Sequence, residues 1–479
     1  MQLGKRNTRC AVIAVAAFGM SANALAQTSP PSPDPAAPAT TPTAAPLPTD
    51  PASSPGAVPS ALTLPPPAPA AVEPPKVVYP VIAGPFLRLN ELFSFRPGLL
   101  LQLWATTTQD NTPQANGDSG AFNKSIYMRR ARFYFAGGVG KDLTYTILWE
   151  SSNLGQATID AANAATGGVD KGYTVPAPGS LVTFGFNDAF FDYRLNPNIS
   201  VQAGLMLIPF TRNILQSTGT YWSIDIAGVS ASYITATQTN TLRDTGIQLK
   251  INAADNHFEA RAMVSQGVKV ADPAGGGRIP GKNDPRVTGF LQYNFLDPDV
   301  GYVFNGQYFG KKAIAAIAVG ADYQKTGDEN AYWATSATAF AAIPIHGADA
   351  KNGGDEVGGQ IEFLHFHPGR LPVPIATLAR QNDLLVELGY YNKKAKMSVF
   401  GKFEGRFFTD KRDFVPTMPD IEFDINNTRL YGGGLKYFIA EQLANLTLQY
   451  NFTQFPKAIA AINPRNSTSQ VLLQLQLAY

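Results

Sequence analysis

The chain ends on the stretch QVLLQLQLAY, residues 470–479, in which apolar and polar residues alternate. Neighbouring side chains of a β-strand point to opposite faces, so this stretch predicts a strand with one apolar and one polar face. The apolar face carries Val471, Leu473, Leu475, Leu477 and Tyr479. A strand of a soluble protein can alternate in the same way. A membrane barrel is predicted because other segments of the chain repeat the pattern and an export signal precedes them.

The same alternation recurs along the chain. In 443–454 the residues Leu446, Leu448, Tyr450 and Phe452 alternate with Asn445, Thr447, Gln449, Asn451 and Thr453. An Arg or Lys that faced lipid at mid-membrane would cost ~2–4 kcal/mol, so the face that carries charges is assigned inward. The predicted fold class is all-β, a transmembrane antiparallel β-barrel of about 16 strands, the number that fits ~400 residues at ~25 per strand and connection.

The predicted strands are 98–106, 123–137, 141–152, 181–194, 198–208, 242–253, 256–266, 285–296, 313–325, 331–345, 355–367, 382–392, 395–408, 427–439, 443–454 and 467–479. Short periplasmic turns and long outer loops are expected to alternate between them. A strand at 301–310 would break this alternation, so residues 297–312 are assigned to a periplasmic excursion. The stretch 326–354 is less well defined by its pattern.

The N-terminus is typical of a secretory signal peptide over residues 1–26. Lys5, Arg6 and Arg9 precede an apolar stretch, and a small-residue cleavage site ends at Ala26. Residues 27–85 are rich in Pro and Ala, and they predict a disordered periplasmic linker because such a composition cannot bury a core. Residues 86–479 are predicted to form the transmembrane barrel.

Composition excludes several other classes of protein. Only 15% of residues are charged, yet outside the N-terminus there is no apolar run of about 18 residues, which argues against membrane-spanning helices. The sole cysteine, Cys10, lies in the signal peptide, so the predicted mature chain has no disulfide and no cysteine-ligated metal. The formal charge of +2 falls slightly below zero once the signal peptide is removed, and nothing indicates a nucleic-acid partner.

Several segments resemble the phosphate-selective porin O/P family. FRPG at 95–98 resembles the start of the family's first strand, and YMRRARF at 127–133 followed by GKDLTY at 140–145 is the most specific similarity. The other similar segments are NDAFFDY at 187–193, VQAG at 201–204 with IPF at 208–210, RDTG at 243–246 and YFGKK at 308–312. The resemblance covers roughly residues 95–325.

The resemblance implies a 16-stranded barrel in the bacterial outer membrane, usually a homotrimer, whose third outer loop folds inward. It also implies passive diffusion of small inorganic anions, phosphate among them, with outer-membrane lipid as the surrounding partner. The residues themselves predict no cofactor, no metal and no catalytic residue. From the residues themselves an alternative stays open, namely an outer-membrane barrel enzyme or adhesin that uses the barrel as a scaffold.

Within each predicted strand, alternate residues face the lumen, and we call this assignment of odd or even positions the parity of the strand. Parity provides a set of candidate pore-lining residues. The candidates are Arg130, Arg132, Lys250, Arg261, Arg286, Lys396, Lys402, Arg406 and Lys436, together with Glu150, Asp188, Asp192 and Glu404. Parity adds the acidic residues Asp244, Glu259, Asp322 and Glu362. Charged rings on the lining set the selectivity of a pore, and here the two signs nearly balance, so the sequence alone does not predict strong anion selectivity.

The loop 209–241 is the predicted constriction. It carries Arg212, a further pore-lining candidate, although a solvated loop arginine is an equally good interpretation. Arg129 has the opposite parity to Arg130 and is assigned to the rim. His365 and His367 share a strand face without an evident third metal ligand. His257 and His346 fall near predicted periplasmic ends, where a barrel hydrolase would not place its histidine.

Overall fold

The computed structural model describes residues 87–90, 92–110, 122–154, 184–230, 242–267, 284–325, 331–346, 352–367, 380–409, 427–455 and 467–479. The chain divides into two compact units, and every described residue belongs to the unit formed by 73–158 and 174–479. The predicted signal peptide and Pro/Ala-rich linker lie outside the described residues, so both stay predictions.

The described chain is built almost entirely from strands. They are β1 Leu87–Arg88, β2 Phe93–Asp110, β3 Phe122–Val139, β4 Leu143–Leu154, β5 Phe184–Asn196, β6 Ile199–Leu207, β7 Arg243–Ala253, β8 Phe258–Ser265, β9 Arg286–Asn294, β10 Ile314–Lys325, β11 Ala331–Pro344, β12 Glu356–His367, β13 Gln381–Asn392, β14 Met397–Phe408, β15 Thr428–Ala440, β16 Ala444–Gln454 and β17 Ser467–Ala478. Among the described residues, no helix has the length and apolar character needed to cross a membrane.

The strands β2 to β17 form one closed antiparallel barrel. Each strand pairs with its neighbour in sequence, and β17 closes the ring by pairing with β2 from Ala478 opposite Leu100 to Thr468 opposite Asp110. The two-residue β1 pairs only with the start of β2. Closure leaves no unpaired sheet edge in the hydrocarbon layer, which is what allows strands to span a membrane. The prediction of a 16-stranded transmembrane barrel is confirmed.

Side chains alternate between lipid and lumen as the pattern predicts. In β16 the side chains of Leu446, Leu448 and Tyr450 are exposed, whereas the polar residues between them are buried. In β10 the exposed residues include Ile317 and Val319. The outward positions of the other strands extend these rows into an apolar belt around the barrel.

The two ends of the barrel differ in their connections. Tight turns join β3 to β4, β5 to β6, β7 to β8, β13 to β14 and β15 to β16, all at the end that holds the C-terminus. Most connections at the opposite end are longer, although the connection 326–330 there is short and residues 345–355 make a longer connection at the C-terminal end. Short turns mark the periplasmic end of a bacterial outer-membrane barrel, so the C-terminus is periplasmic.

The connection between β9 and β10, residues 295–313, departs from this pattern. It contains no strand, in agreement with the prediction for 297–312. It does not extend away from the barrel, however. Tyr302, Phe304 and Tyr308 are buried, and the backbone of Phe304 forms a bridge with Gln216. We call residues 295–313 the inner connection because they fold into the lumen.

The lumen contains an apolar core, which the polar inward faces predicted for the strands do not lead one to expect. Wall residues Leu148, Phe290 and Phe366 point inward and pack with Phe210 and Phe304 from the two inward-folded segments. Side chains facing the lumen are usually polar when they meet water. Their packing here shows that part of the lumen is filled with protein, so any passage occupies only the remainder.

Candidate functional site: the constriction inside the barrel

The loop after β6 turns into the barrel, as predicted for 209–241. We call its described part, residues 208–230, the inner loop, and it is buried almost throughout. Wall carboxylates of Glu362, Glu387 and Glu404 each accept a backbone N–H of this loop at 3.0–3.1 Å. Hydrogen bonds to charged groups contribute ~1.5–3 kcal/mol each, so these acids hold the inner loop in place.

Trp222 fixes the middle of the inner loop to the wall. Its ring is fully buried, and it belongs to a cluster with Phe309, Tyr391, Phe400 and Phe438. Beneath the ring lie Gly358 of β12 and Gly389 of β13, which pair directly across the two strands. A Cβ at Gly358 would lie 2.9 Å from the indole, and one at Gly389 would overlap the ring. The two glycines therefore provide the space that the tryptophan occupies.

Arginines of β3 meet the other side of the inner loop. Asp225 of the loop accepts a 2.6 Å hydrogen bond from Arg130 and a 2.9 Å bond from Arg129. Arg132 donates to Glu150 at 2.7 Å and to the hydroxyl of Thr218 at 2.7 Å. A guanidinium group presents several donors in a fixed plane, so one arginine can bind the wall and the loop together.

The placement of Arg129 corrects the prediction that it sits at the rim. The β2–β3 register shifts after Gln102, so that Gln102 pairs with Arg130 while Leu103 pairs with Met128. Arg129 is the extra residue of this β-bulge, and it reaches Asp225 from there. A bulge changes where a side chain points, and strict alternation cannot predict it.

Asp225 stays ionised among these arginines. Burial by itself would raise its pKa, but the positive charges of Arg130 and Arg129 and the backbone N–H of Ile226 hold the pKa well below its usual range. A carboxylate with this environment is charged at neutral pH. Its ion pairs with Arg129 and Arg130 therefore link the inner loop to the positive side chains of β3.

A cavity of about 140 Å³ lies between the inner loop and the wall of β3, β4 and β7. Its charged lining residues are Arg129, Arg130, Arg132, Glu150 and Arg243. Hydroxyl groups of Ser152, Ser217, Thr218 and Tyr221 add polar surface. The described part of the lining thus carries four arginines against one carboxylate.

Arg243 was missed as a lining residue because its parity is outward. It is the first residue of β7 and follows Leu242, whose φ of 70° turns the chain there. Its side chain bonds Asp188 at 3.1 Å. The alternation of faces within a strand need not hold at its first residue. In the sequence, only the RDTG motif at 243–246 indicated that Arg243 could have a role.

Several predicted lining residues are buried and do not border this cavity; Asp188, Glu404 and Lys436 are among them, and four more differ further from the prediction. Arg261 and Arg286 have 2% and 1% of their surface exposed and pair with Glu259 and Asp322. Lys250 bonds Glu259 at 3.1 Å under the inner connection. Arg212 is fully buried and bonds Asp299 at 2.7 Å. Lys250 and Arg261 lie against the inner connection, Arg212 joins the inner loop to it, and Arg286 is bound to Asp322 on the neighbouring strand. The structure therefore differs from the prediction that these four residues line the pore.

Lys396 is a further correction. It is exposed in the turn between β13 and β14, where its φ is 52°, so it belongs to the periplasmic surface and not to the pore wall.

The other candidates lie on the inward face and contact protein groups. Lys402 bonds Glu404 at 2.7 Å, and Lys436 donates to the carbonyl of Tyr221 at 2.6 Å. Arg406 donates to the Gly228 carbonyl at 3.4 Å. Asp192 accepts from Gln202 at 2.9 Å, and Asp188 accepts from Tyr302 at 2.8 Å.

The histidines lie away from the constriction. His257 is in the β7–β8 turn and His346 in the β11–β12 connection, both at the periplasmic end. His365 and His367 lie beside Trp333, with ring centroids 4.9 and 5.4 Å away. Within the described ranges, no group of three or more His, Cys, Asp and Glu is placed to hold a metal ion.

A closed barrel with an apolar outer belt, a charged inner wall and a loop folded across its lumen defines a porin-type protein. Residues 101–282 match the family model of phosphate-selective porin O and P, which confirms the predicted resemblance over that part of the chain. The match and the apolar belt place the protein in the bacterial outer membrane. No curated protein matches the chain.

Solved structures of several outer-membrane proteins are similar. The outer membrane channel DcaP of Acinetobacter baumannii is 11% identical, with a TM-score of 0.48 over 82% of this chain and 99% of that chain. OmpF of Salmonella typhi in complex with daunomycin is 10% identical, with a TM-score of 0.47 over 82% and 100%. OmpT of Vibrio cholerae is 10% identical, with a TM-score of 0.45 over 82% and 100%.

Proposed function

We propose that the protein is a passive diffusion channel for small ions and solutes, with a preference for anions such as phosphate, and that it performs no chemistry. The observation that carries this proposal is the lining of the 140 Å³ cavity, where four arginines face one carboxylate. The match to phosphate-selective porins supports the same interpretation.

The arrangement of the arginines supports anion preference physically. Arg129, Arg130 and Arg132 lie side by side on β3, and Arg243 approaches from β7. Guanidinium groups bind phosphate and carboxylate oxygens through paired N–H donors, and a low-dielectric wall strengthens that attraction. Asp225 and Glu150 bind three of these arginines. That pairing keeps the attraction weak enough for a solute to leave again, as conduction requires.

We also propose that the channel is a homotrimer, as the family resemblance implies. Chemical cross-linking of the detergent-solubilised, unheated protein should give a ladder that ends at three subunits. A ladder that ends at one or two subunits would contradict the proposed trimer but would leave the proposed channel function unaffected.

The channel is tested by its current in planar bilayers. The purified full-length protein should conduct, and under a KCl gradient its reversal potential should have the sign expected for anions. Added phosphate should lower the chloride current by competing for the arginines. A protein that passes no current, or one that selects K⁺, would contradict the proposal.

Variants His257→Ala and His346→Ala separate this function from a barrel enzyme. Both histidines lie at the periplasmic end, away from the cavity lining, so conductance and reversal potential should equal those of the wild type.

A further inference from the structure

Hydrogen bonds to the barrel wall hold the inner connection in the lumen, as they hold the inner loop. Tyr302 donates its hydroxyl to Asp188 at 2.8 Å and accepts the backbone N–H of Leu207 at 2.7 Å. Arg261 donates to the carbonyls of Tyr302 and Gly301 at 2.8 and 2.9 Å. Hydrogen bonds of this kind hold a segment in one position, since an unmade bond to a buried group would cost ~1–3 kcal/mol.

Phe304, two residues further on, is bound to the inner loop. Its backbone N–H donates to Leu215 and its carbonyl accepts from Ser217, both at 2.8 Å. These are the bonds of the short parallel bridge between the two segments. The inner loop comes from the outer end of the barrel and the inner connection from the periplasmic end, so the two meet near the middle of the lumen.

Arg212 strengthens this junction. It reaches from the inner loop to Asp299 and to the carbonyl of Asn305. Its guanidinium carbon lies 4.6 Å from the ring centre of Phe304 and 3.9 Å from that of Phe340. The arginine predicted to face the pore thus joins the two inward segments to the wall.

Val303 lies between the two fixed residues Tyr302 and Phe304. On one side is the arginine-lined cavity of about 140 Å³. On the other is a cavity of about 730 Å³ that opens among residues 299–312 and 440–443 at the periplasmic end. Of the described residues that line either cavity, Val303 alone lines both.

We infer that the two cavities are consecutive parts of one path and that Val303 marks its inner constriction, on the periplasmic side of the arginines. This inference rests on the proposed channel function. Val303 presents a branched apolar side chain, and hydrogen bonds hold its neighbours on both sides. An apolar constriction limits a pore by size and by excluding water, whereas the arginines act on charge. Size selection and charge selection are therefore assigned to different residues.

A matched residue tests this assignment. Val300 is in the same connection, is 42% exposed and lines only the periplasmic cavity. The full-length variants Val303→Cys and Val300→Cys are compared in planar bilayers before and after a positively charged methanethiosulfonate reagent. Wild type, whose one cysteine is Cys10, controls for reaction elsewhere. Val303→Ala and Val300→Ala are measured without reagent.

We expect the reagent to abolish the current of Val303→Cys, from either side of the membrane, and to leave that of Val300→Cys largely unchanged. Val303→Ala should raise the single-channel current, and Val300→Ala should not. If Val303→Cys is modified without loss of current, or is never modified in a conducting channel, the inner constriction lies elsewhere. If the wild type itself passes no current, the proposed function fails as well, so the two failures are distinguishable.

Discussion

The two sides of the lumen are built for different tasks. On the wall of β10 to β14, glycines and aromatic rings receive the inner loop, as Gly358 and Gly389 receive Trp222. On the wall of β3, β4 and β7, charged side chains border an open cavity. The inner loop packs like a protein core on the first side and contacts the second through ion pairs. We call these the packed side and the charged side.

The comparison shows that inward orientation alone does not make a residue part of the pore. Arg286 and Arg130 both point inward from strands and both are buried to a similar degree. Arg286 bonds Asp322 on the neighbouring strand, whereas Arg130 bonds Asp225 of the inner loop and borders the cavity. What separates them is whether the side chain borders that cavity.

Replacing Gly389 with Ala should have the largest effect. The new methyl group would overlap the ring of Trp222, and overpacking of this kind costs ~1–3 kcal/mol. The inner loop should detach from the packed side, so single-channel conductance should rise. Gly401→Ala is the control, because its Cβ would face outward with the nearest atom 4.0 Å away. Equal conductance in both variants would show that Trp222 does not position the loop.

Replacing Asp225 with Asn should have a moderate effect on the charged side. It removes the negative charge that Arg129 and Arg130 share while keeping the size of the side chain. Reversal potential should shift further toward anions. Asp244→Asn is the control, because this carboxylate accepts from Ser265 and Gly267 outside the cavity lining. A shift of the same size in Asp244→Asn would show that the effect of a carboxylate on selectivity does not depend on where it lies in the lumen.

Replacing Arg286 with Met should have the smallest effect on selectivity. It removes the buried positive charge that pairs with Asp322, so stability should fall by ~3–5 kcal/mol as judged by denaturant unfolding. Reversal potential should stay at the wild-type value. Arg130→Met, the same substitution on the charged side, should shift it toward cations. A clear shift for Arg286→Met would show that a buried arginine outside the cavity lining also sets the selectivity.

The barrel was predictable from the sequence because lipid on one face of each strand enforces alternation. The stretch 470–479 and segment 443–454 show it directly, and the structure places both as expected. The number of strands could be predicted from the chain length and the alternating pattern. The absence of a strand at 301–310 could be predicted because short and long connections must alternate.

The constriction was predictable only in part. The loop at 209–241 could be located, yet its contacts depend on residues far away in sequence, such as Gly389 beneath Trp222. The bulge at Arg129 depends on strand register, and the position of Lys396 on a turn with positive φ. The burial of Arg261 depends on how the inner connection folds. None of these is encoded in a local pattern.

The central claim is that arginines on the charged side set the selectivity of the channel. It is tested most directly by the reversal potential of Arg130→Ala combined with Arg132→Ala, measured against wild type under the same KCl gradient. The account predicts a shift toward cations, because two positive charges leave the lining while Glu150 in the lining and Asp225 of the inner loop keep their charges. A reversal potential equal to that of the wild type in a conducting double variant would contradict it.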